Sequence, residues 1–201
     1  MMDENRWLRD VVLESDTVKL APLHRNHADA LVEAASDGQL WRLWFTGVPG
    51  RDTIHSYIEK ALSEKEAGRA LPFVVIDKAS NKVIGSTRFC NADSQNNRVE
   101  IGYTWYAKSY QRSPVNTECK LLLMGHAFED LNAIAVEFRT HWHNLESRAA
   151  IARLGAKQDG VLRNHQRMPD GGYRDTVVFS IINLEWPVVK KSLMHKLDSY
   201  R

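Results

Sequence analysis

The stretch Arg98–Glu118, RVEIGYTWYAKSYQRSPVNTE, decides how the rest of the chain is read. Its first nine residues, Arg98–Tyr106, are β-branched and aromatic in alternation, the pattern of a strand. A strong helix is expected from about Asn116 to Leu131, with Leu121, Leu122, Met124, Gly125 and Phe128 facing the core. The junction between them carries Lys108 and Arg112, and Asn116 is placed to cap the helix. A helix start has unpaired N–H groups and the positive end of the dipole, so the junction suits an anion. It also suits a well-capped helix with solvated basic side chains.

Working outward, Thr17–Pro22 (TVKLAP) reads as a short strand stopped by proline, and His24–Ala35 has helical spacing. A second helix is expected between Asp52 and Ala67, capped by Asp52 or Thr53 and ended by Gly68. Between the two helices lies an aromatic loop, Trp41–Gly50 (WRLWFTGVPG). Pro72–Asp77 and Lys82–Phe89 complete an antiparallel meander with Arg98–Tyr106. After the long helix come a strand, Ile134–Thr140, and a helix, Asn144–Leu154, closed by Gly155. A strand pair, Ala156–Arg167 and Tyr173–Ile182, turns through PDGG at 169–172. A last helix is expected over Glu185–Leu197 with Pro187 in its first turn. The expectation is one α+β domain over 1–201, with an N-terminal arm at 1–15 and a helical extension at 185–201. Its sheet has about seven strands, mostly antiparallel.

Composition narrows the function classes. Lys+Arg 27 against Asp+Glu 25 leaves a net charge of +2, which argues against a broad nucleic-acid face. Cys90 and Cys119 fit neither a zinc site nor a disulfide framework and read as free thiols. No apolar run reaches the length of a membrane span, and MMDENRWLRD is too polar for a signal peptide, so a cytoplasmic protein without membrane contact is expected. With only 11 glycines, the chain holds neither GxGxxG nor GxxxxGK[ST], the glycine cradles of nucleotide phosphates.

Strand, basic loop and helix are followed by a further strand and then by Asn144, Ser147, Ala150, Leu154, Gly155 and Ala156 in the pattern NxxSxxAxxxLGA. Together with NTECKLLL at 116–123 and RDTVVFSI at 174–181, this order resembles the GNAT superfamily of acetyl-CoA-dependent N-acetyltransferases, and more narrowly its RimJ/RimL-like branch. The resemblance runs from about Val18 to Ile182. It implies a sheet splayed between its fourth and fifth strands, with acetyl-CoA in the gap as acyl donor. Pantetheine would meet the backbone near Trp105 and Ala107. The family's pyrophosphate loop falls on Gln111, Arg112, Ser113, Pro114, Val115 and Asn116, with Thr117 next. Gln111 agrees with the family, whereas Pro114 and Asn116 stand where small residues are usual. Proline removes one amide donor, leaving Arg112, the helix dipole and the amides of Ser113, Asn116 and Thr117 for the phosphates. Asn144 would contact the cofactor arm and Arg148 the adenosine phosphates, or Asn144 caps its helix and Arg148 is a solvated charge.

Acetyl transfer to an amine needs a base for the ammonium proton and an acid for the leaving thiolate. The resemblance points to Ser147 as acid. Glu100, on the strand that approaches the acyl group, is the carboxylate best placed as base, with a cross-strand ion pair to Arg88 or Arg98 as its alternative role. A glutamate used further along in some relatives falls near Gln166, which is no base. His141 and His143 flank Trp142 and share one side of their strand, making His143 a reserve base. The pair lacks a third ligand for a metal, and no metal is expected. Cys119 reads as core.

The acceptor would be chosen by the aromatic loop and by the hairpin Arg163–Tyr173, which carries His165, Arg167, Asp170 and Tyr173. A small amine and a peptide N-terminus both remain open, and the same aromatic surface suits a homodimer contact. The reading is direct transfer to a primary amine in a ternary complex. A non-catalytic acyl-CoA-binding or protein-interaction module on the same fold is the alternative.

Overall fold

The computed structural model describes residues 6–200. Its strands are β1 (Leu13–Glu14), β2 (Val18–Pro22), β3 (Leu71–Asp77), β4 (Lys82–Asp93), β5 (Arg98–Tyr106), β6 (Ala135–His141), β7 (Lys157–Arg167) and β8 (Tyr173–Ile182). The helices are α1 (Ala28–Ser36), α2 (Ile54–Glu66), α3 (Val115–Gly125), α4 (Leu145–Arg153) and α5 (Trp186–Asp198). The strands form one sheet in the order β1-β2-β3-β4-β5-β6-β8-β7. It has eight strands rather than seven, because Leu13 and Glu14 of the expected arm pair with Leu20 and Lys19. Of that arm, residues 1–5 lie outside the described residues.

Alternation along the strands sorts two cores onto the two faces. On one face, Leu20, Phe73, Phe89, Val99, Ile101, Val136, Phe138, Val177 and Phe179 meet Cys119, Leu123 and Met124 of α3, Ile151 of α4 and Leu193 of α5. On the other, Leu31 of α1 and Ile58 and Ala61 of α2 cover Val74 and Trp105. The second cover stops at β5. Beyond it the same face of β6 and β8 presents Glu137, Arg139, His141, Arg174, Thr176 and Ser180, a polar floor.

Three expectations need correction. Helix α3 ends at Gly125 and gives way to a wider turn over His126–Asp130, where the Leu131 N–H donates to the His126 carbonyl at 3.0 Å. Its buried stripe therefore runs through Cys119, Lys120, Leu123 and Met124, and Leu121 and Leu122 are only partly buried. Helix α2 follows Thr53, whose Oγ1 accepts from the Gly50 N–H rather than capping a helical amide. Asn116 lies inside α3, so Pro114 occupies the capping position, and the Asn116 Oδ1 accepts from the Tyr106 hydroxyl at 3.3 Å. As expected, Gly68 ends α2 in the left-handed conformation, with φ +73°.

Candidate active site

Two local devices open the sheet. β5 and β6 are parallel neighbours over only three residue pairs, ending at Glu100 with Glu137, so their later halves diverge. The gap lies between the strands predicted as fourth and fifth. On the other side of β5 the register to β4 slips between Ser86 and Arg88, and Tyr103 takes φ +51°. An extra residue in a left-handed conformation is a β-bulge, which bends its strand and re-aims its side chains.

The loop after β5 is tied down at several points. The Ser109 N–H and hydroxyl both donate to Asp37 Oδ2, at 2.9 and 2.6 Å, which holds that carboxyl below its ordinary pKa. The Gln111 amide donates to the Tyr106 carbonyl at 2.9 Å and the Ser113 hydroxyl to the Tyr110 carbonyl at 2.5 Å. Gln111 is thus a latch on the loop rather than an open donor. Arg112 has φ +57° and reaches across to Glu146 in the first turn of α4, at 3.4 Å. Both side chains are exposed, so the pair adds little stability and is easily exchanged for another anion. The first intrahelical bond of α3 runs from the Glu118 N–H to the Pro114 carbonyl. The N–H groups of Asn116 and Thr117 have no partner among the described residues, and Val115 donates only weakly to the Ser113 hydroxyl, at 3.4 Å. These amides and Arg112 form a ready anion position despite Pro114.

Of the two backbone positions expected to meet pantetheine, Ala107 is engaged: its N–H donates to Ile84 and its carbonyl accepts from Tyr110. Trp105 is buried, and its indole N–H donates to the Tyr57 hydroxyl at 3.4 Å. On α4, Asn144 is the cap: its Oδ1 accepts from the Ser147 N–H at 3.0 Å. The Ser147 hydroxyl is half-buried and has no hydrogen bond among the described residues. Arg148 stacks on Trp142 at 4.3 Å and donates to its carbonyl at 3.2 Å.

Glu100 stands at the vertex of the splay, facing the polar floor because Val99 and Ile101 face α3. It is buried, accepts from the Asn91 amide at 2.7 Å and lies 3.5 Å from the Arg139 guanidinium. Burial raises its pKa, and Asn91 and Arg139 moderate the rise. The alternative of an ion pair with Arg88 or Arg98 does not form; Arg98 binds Glu137 instead, at 2.6 Å. Gly102 follows on the same face. A Cβ there would lie 3.1 Å from both Cys90 Sγ and Glu100 Oε1, so glycine is what lets those two atoms pack close to the backbone.

His141 and His143 do share one side, with ring centroids 5.7 Å apart. His141 is buried, and its Nδ1 accepts from the His143 N–H, which places its proton on Nε2. Burial and then the nearby Arg174 lower its pKa. The exposed Trp44 of the aromatic loop packs on both rings, at 5.0 and 6.0 Å. From the hairpin, His165 and Arg174 share Thr176 Oγ1, at 3.1 and 3.0 Å. Arg167, Asp170 and Tyr173 lie at its exposed tip. No group of three metal-ligating side chains occurs among the described residues.

The sequence reading missed Asn91, Arg139 and Arg174 because their contacts depend on strand register: Asn91 reaches Glu100 from antiparallel β4, Arg139 from parallel β6, and Arg174 is carried beside them by β8. It also missed the bulge at Tyr103, for which a tyrosine after glycine in mid-strand was the only signal.

The acetyltransferase (GNAT) domain family matches residues 17–157. An uncharacterized N-acetyltransferase p20 of Bacillus licheniformis is 26% identical over 179 residues, covering 87% of this chain and 97% of the relative. The crystal structure of a GCN5-related N-acetyltransferase from Brucella melitensis is 30% identical with TM-score 0.82, covering 94% of this chain and 86% of that one. Mycobacterium smegmatis RimJ, solved in complex with CoA-disulfide, is 22% identical with TM-score 0.76 over 93% of each chain, a likeness of fold alone. With the splayed sheet and the anion-ready helix start, these matches make the chain an N-acetyltransferase that belongs to the GNAT family.

Proposed function

We propose that the chain transfers the acetyl group of acetyl-CoA to a primary amine, directly and within a ternary complex. The observation that carries this reading is the wedge between β5 and β6 with unpaired α3 amides beside it. Its residues fit the cofactor. The amides of Asn116 and Thr117 and the side chain of Arg112 would hold the pyrophosphate, and the backbone near Trp105 would meet the pantetheine arm. Bound there, acetyl-CoA supplies an acyl group activated as a thioester. RimJ, with its bound CoA-disulfide, supports a cofactor of this class in the same fold.

The chain's own groups handle the protons. Glu100 takes the proton of the acceptor ammonium, directly or through one water, and its raised pKa makes it a stronger base than an exposed carboxylate. The Ser147 hydroxyl, otherwise unengaged, supplies a proton to the departing thiolate. His143 and Trp44 stand at the acceptor side, where the aromatic loop meets β6. Among the described residues no helix is long and apolar enough to cross a membrane; the acceptors in this reading are small amines or peptide N-termini.

The test is thiol release from acetyl-CoA with a panel of amines and N-terminal peptides. At least one acceptor should give CoA and an N-acetyl product in equal amounts. Ser147→Ala should lower turnover while leaving acetyl-CoA binding intact, whereas Arg112→Ala should chiefly weaken that binding. Acetyl-CoA binding without product from any amine would contradict the reading.

A further inference from the structure

Arg88 lies on β4 opposite Gly102 and is only 2% exposed. Its guanidinium is sandwiched between two rings, 3.9 Å from the centroid of Tyr103 and 4.9 Å from that of Tyr57. The rings supply cation–π attraction to its faces but leave its edge unsatisfied: Nε and Nη2 are buried with no hydrogen-bond partner. Among the described residues no carboxylate lies within ion-pair distance of it. A buried cation with idle donors is costly, and native chains retain one where something else completes it.

Those two atoms are a matched pair. The Nε and Nη2 hydrogens of a guanidinium point the same way, at the spacing of a carboxylate's oxygens. Elsewhere in this molecule arginines use that edge in this manner. Arg25 donates from Nε and Nη2 to the two oxygens of Glu59, at 2.6 and 2.8 Å, and Arg69 to those of Glu64, at 2.7 and 3.1 Å. In Arg88 the same fork is left over, across from Gly102 and beside the vertex where Glu100 sits. Arg139, two residues past Glu137, stands at the level of Gly102 across the splay; its buried Nε makes no hydrogen bond but lies 3.5 Å from Glu100 Oε2, so unlike Arg88 it has a counter-ion. Tyr57 connects this spot to the acceptor side, since its ring also lines a cavity of about 790 Å³ under the aromatic loop.

We propose that Arg88 is a specificity residue, and that the acceptor carries a carboxylate which the Nε and Nη2 edge of Arg88 takes as a bidentate ion pair. Tyr103, half exposed on its bulge, moves aside to admit it. This rests on the acetyltransferase reading of the same face. The carboxylate belongs either to the acceptor's own C-terminus or to an acidic side chain next to its amine.

Three dipeptide acceptors separate these sources: Ala-Ala amide without a carboxylate, Ala-Ala with a terminal one, and Ala-Asp amide with one on the side chain. At least one carboxylate-bearing acceptor should show kcat/KM roughly tenfold or more above Ala-Ala amide, the scale of a charge-assisted pair. In Arg88→Lys that ratio should fall toward one. A second readout needs no turnover: the Arg88 Nε–H resonance should shift with N-acetylalanine and stay in place with N-acetylalaninamide. Equal kcat/KM for all three acceptors in the wild-type chain, with an unmoved resonance, would overturn the proposal even if the variant failed to fold. The rise in melting temperature with acetyl-CoA is recorded on the same samples. A rise without carboxylate preference removes only this inference, whereas no rise removes the acetyltransferase cleft beneath it.

Discussion

Lys120 offers a quantitative check on the interior next to the splay. It lies on α3, is 5% exposed, and its Nζ has one hydrogen-bond partner, Thr104 Oγ1 at 2.7 Å. Burial lowers its pKa from 10.5 to about 8. Each pH unit of such a displacement corresponds to about 1.4 kcal/mol, so holding the ammonium in place at pH 7 costs the fold about 3 kcal/mol. Because the folded-state value is the lower one, the unfolded chain binds the extra proton between pH 8 and 10.5, and stability climbs with pH across that window. Lys120→Met keeps the stem length and removes the charge. It gives up the bond to Thr104, worth about 1 kcal/mol, but Thr104 retains Thr87 at 2.8 Å. The expected net effect at pH 7 is stabilisation by roughly 2 kcal/mol, with the climb between pH 8 and 10.5 reduced. Urea unfolding of both proteins at pH 7 and pH 10 measures it. A variant less stable than wild type at pH 7, with the pH dependence unchanged, would refute the reasoning.

Other outcomes follow from the same geometry. Glu100→Gln should lower kcat about a hundredfold or more while the acetyl-CoA-induced rise in melting temperature is retained. Since burial raises the Glu100 pKa, the acid limb of the wild-type pH–rate profile should fall above the ordinary 4.5, and Arg139→Met, which removes a stabilising charge, should move that limb higher still. Asn144→Ala deletes the cap on α4 and should cost about 1 kcal/mol in urea unfolding without ligand. Gly102→Ala forces a Cβ to 3.1 Å from Glu100 Oε1 and Cys90 Sγ; it should destabilise the fold by about 1–3 kcal/mol and reduce turnover, measured by denaturation and thiol release.

The order of elements was legible in the sequence because each strand is bounded by its own turn chemistry, as with KASN at 78–81 and PDGG at 169–172. Helix ends were less so. The wide turn at His126–Asp130 keeps the helical apolar pattern and differs only in its hydrogen bonds, and β1 is two residues whose pairing depends on β2 being in place. Of the proposed site, Glu100, Ser147 and Asn144 could be named from the resemblance to the family, and Arg112 from the basic junction before α3. Their actual partners could not. Arg139 reaches Glu100 only because β5 and β6 are parallel at that point, Gln111 is spent on its own loop, and Arg148 prefers the neighbouring indole. Arg88 reads as one polar residue in an alternating strand, and only burial without a counter-ion distinguishes it.

The central claim is that the splay between β5 and β6 takes acetyl-CoA, with the α3 amides and Arg112 on its phosphates. Thermal unfolding of the wild-type chain with and without acetyl-CoA tests this most directly. At a hundredfold excess over the dissociation constant the ligand adds about 2.7 kcal/mol, a rise of roughly 5–10 °C for a chain of this size. Arg112→Ala should show a smaller rise at the same concentration. An unchanged melting temperature for the wild-type chain at millimolar acetyl-CoA would contradict the account.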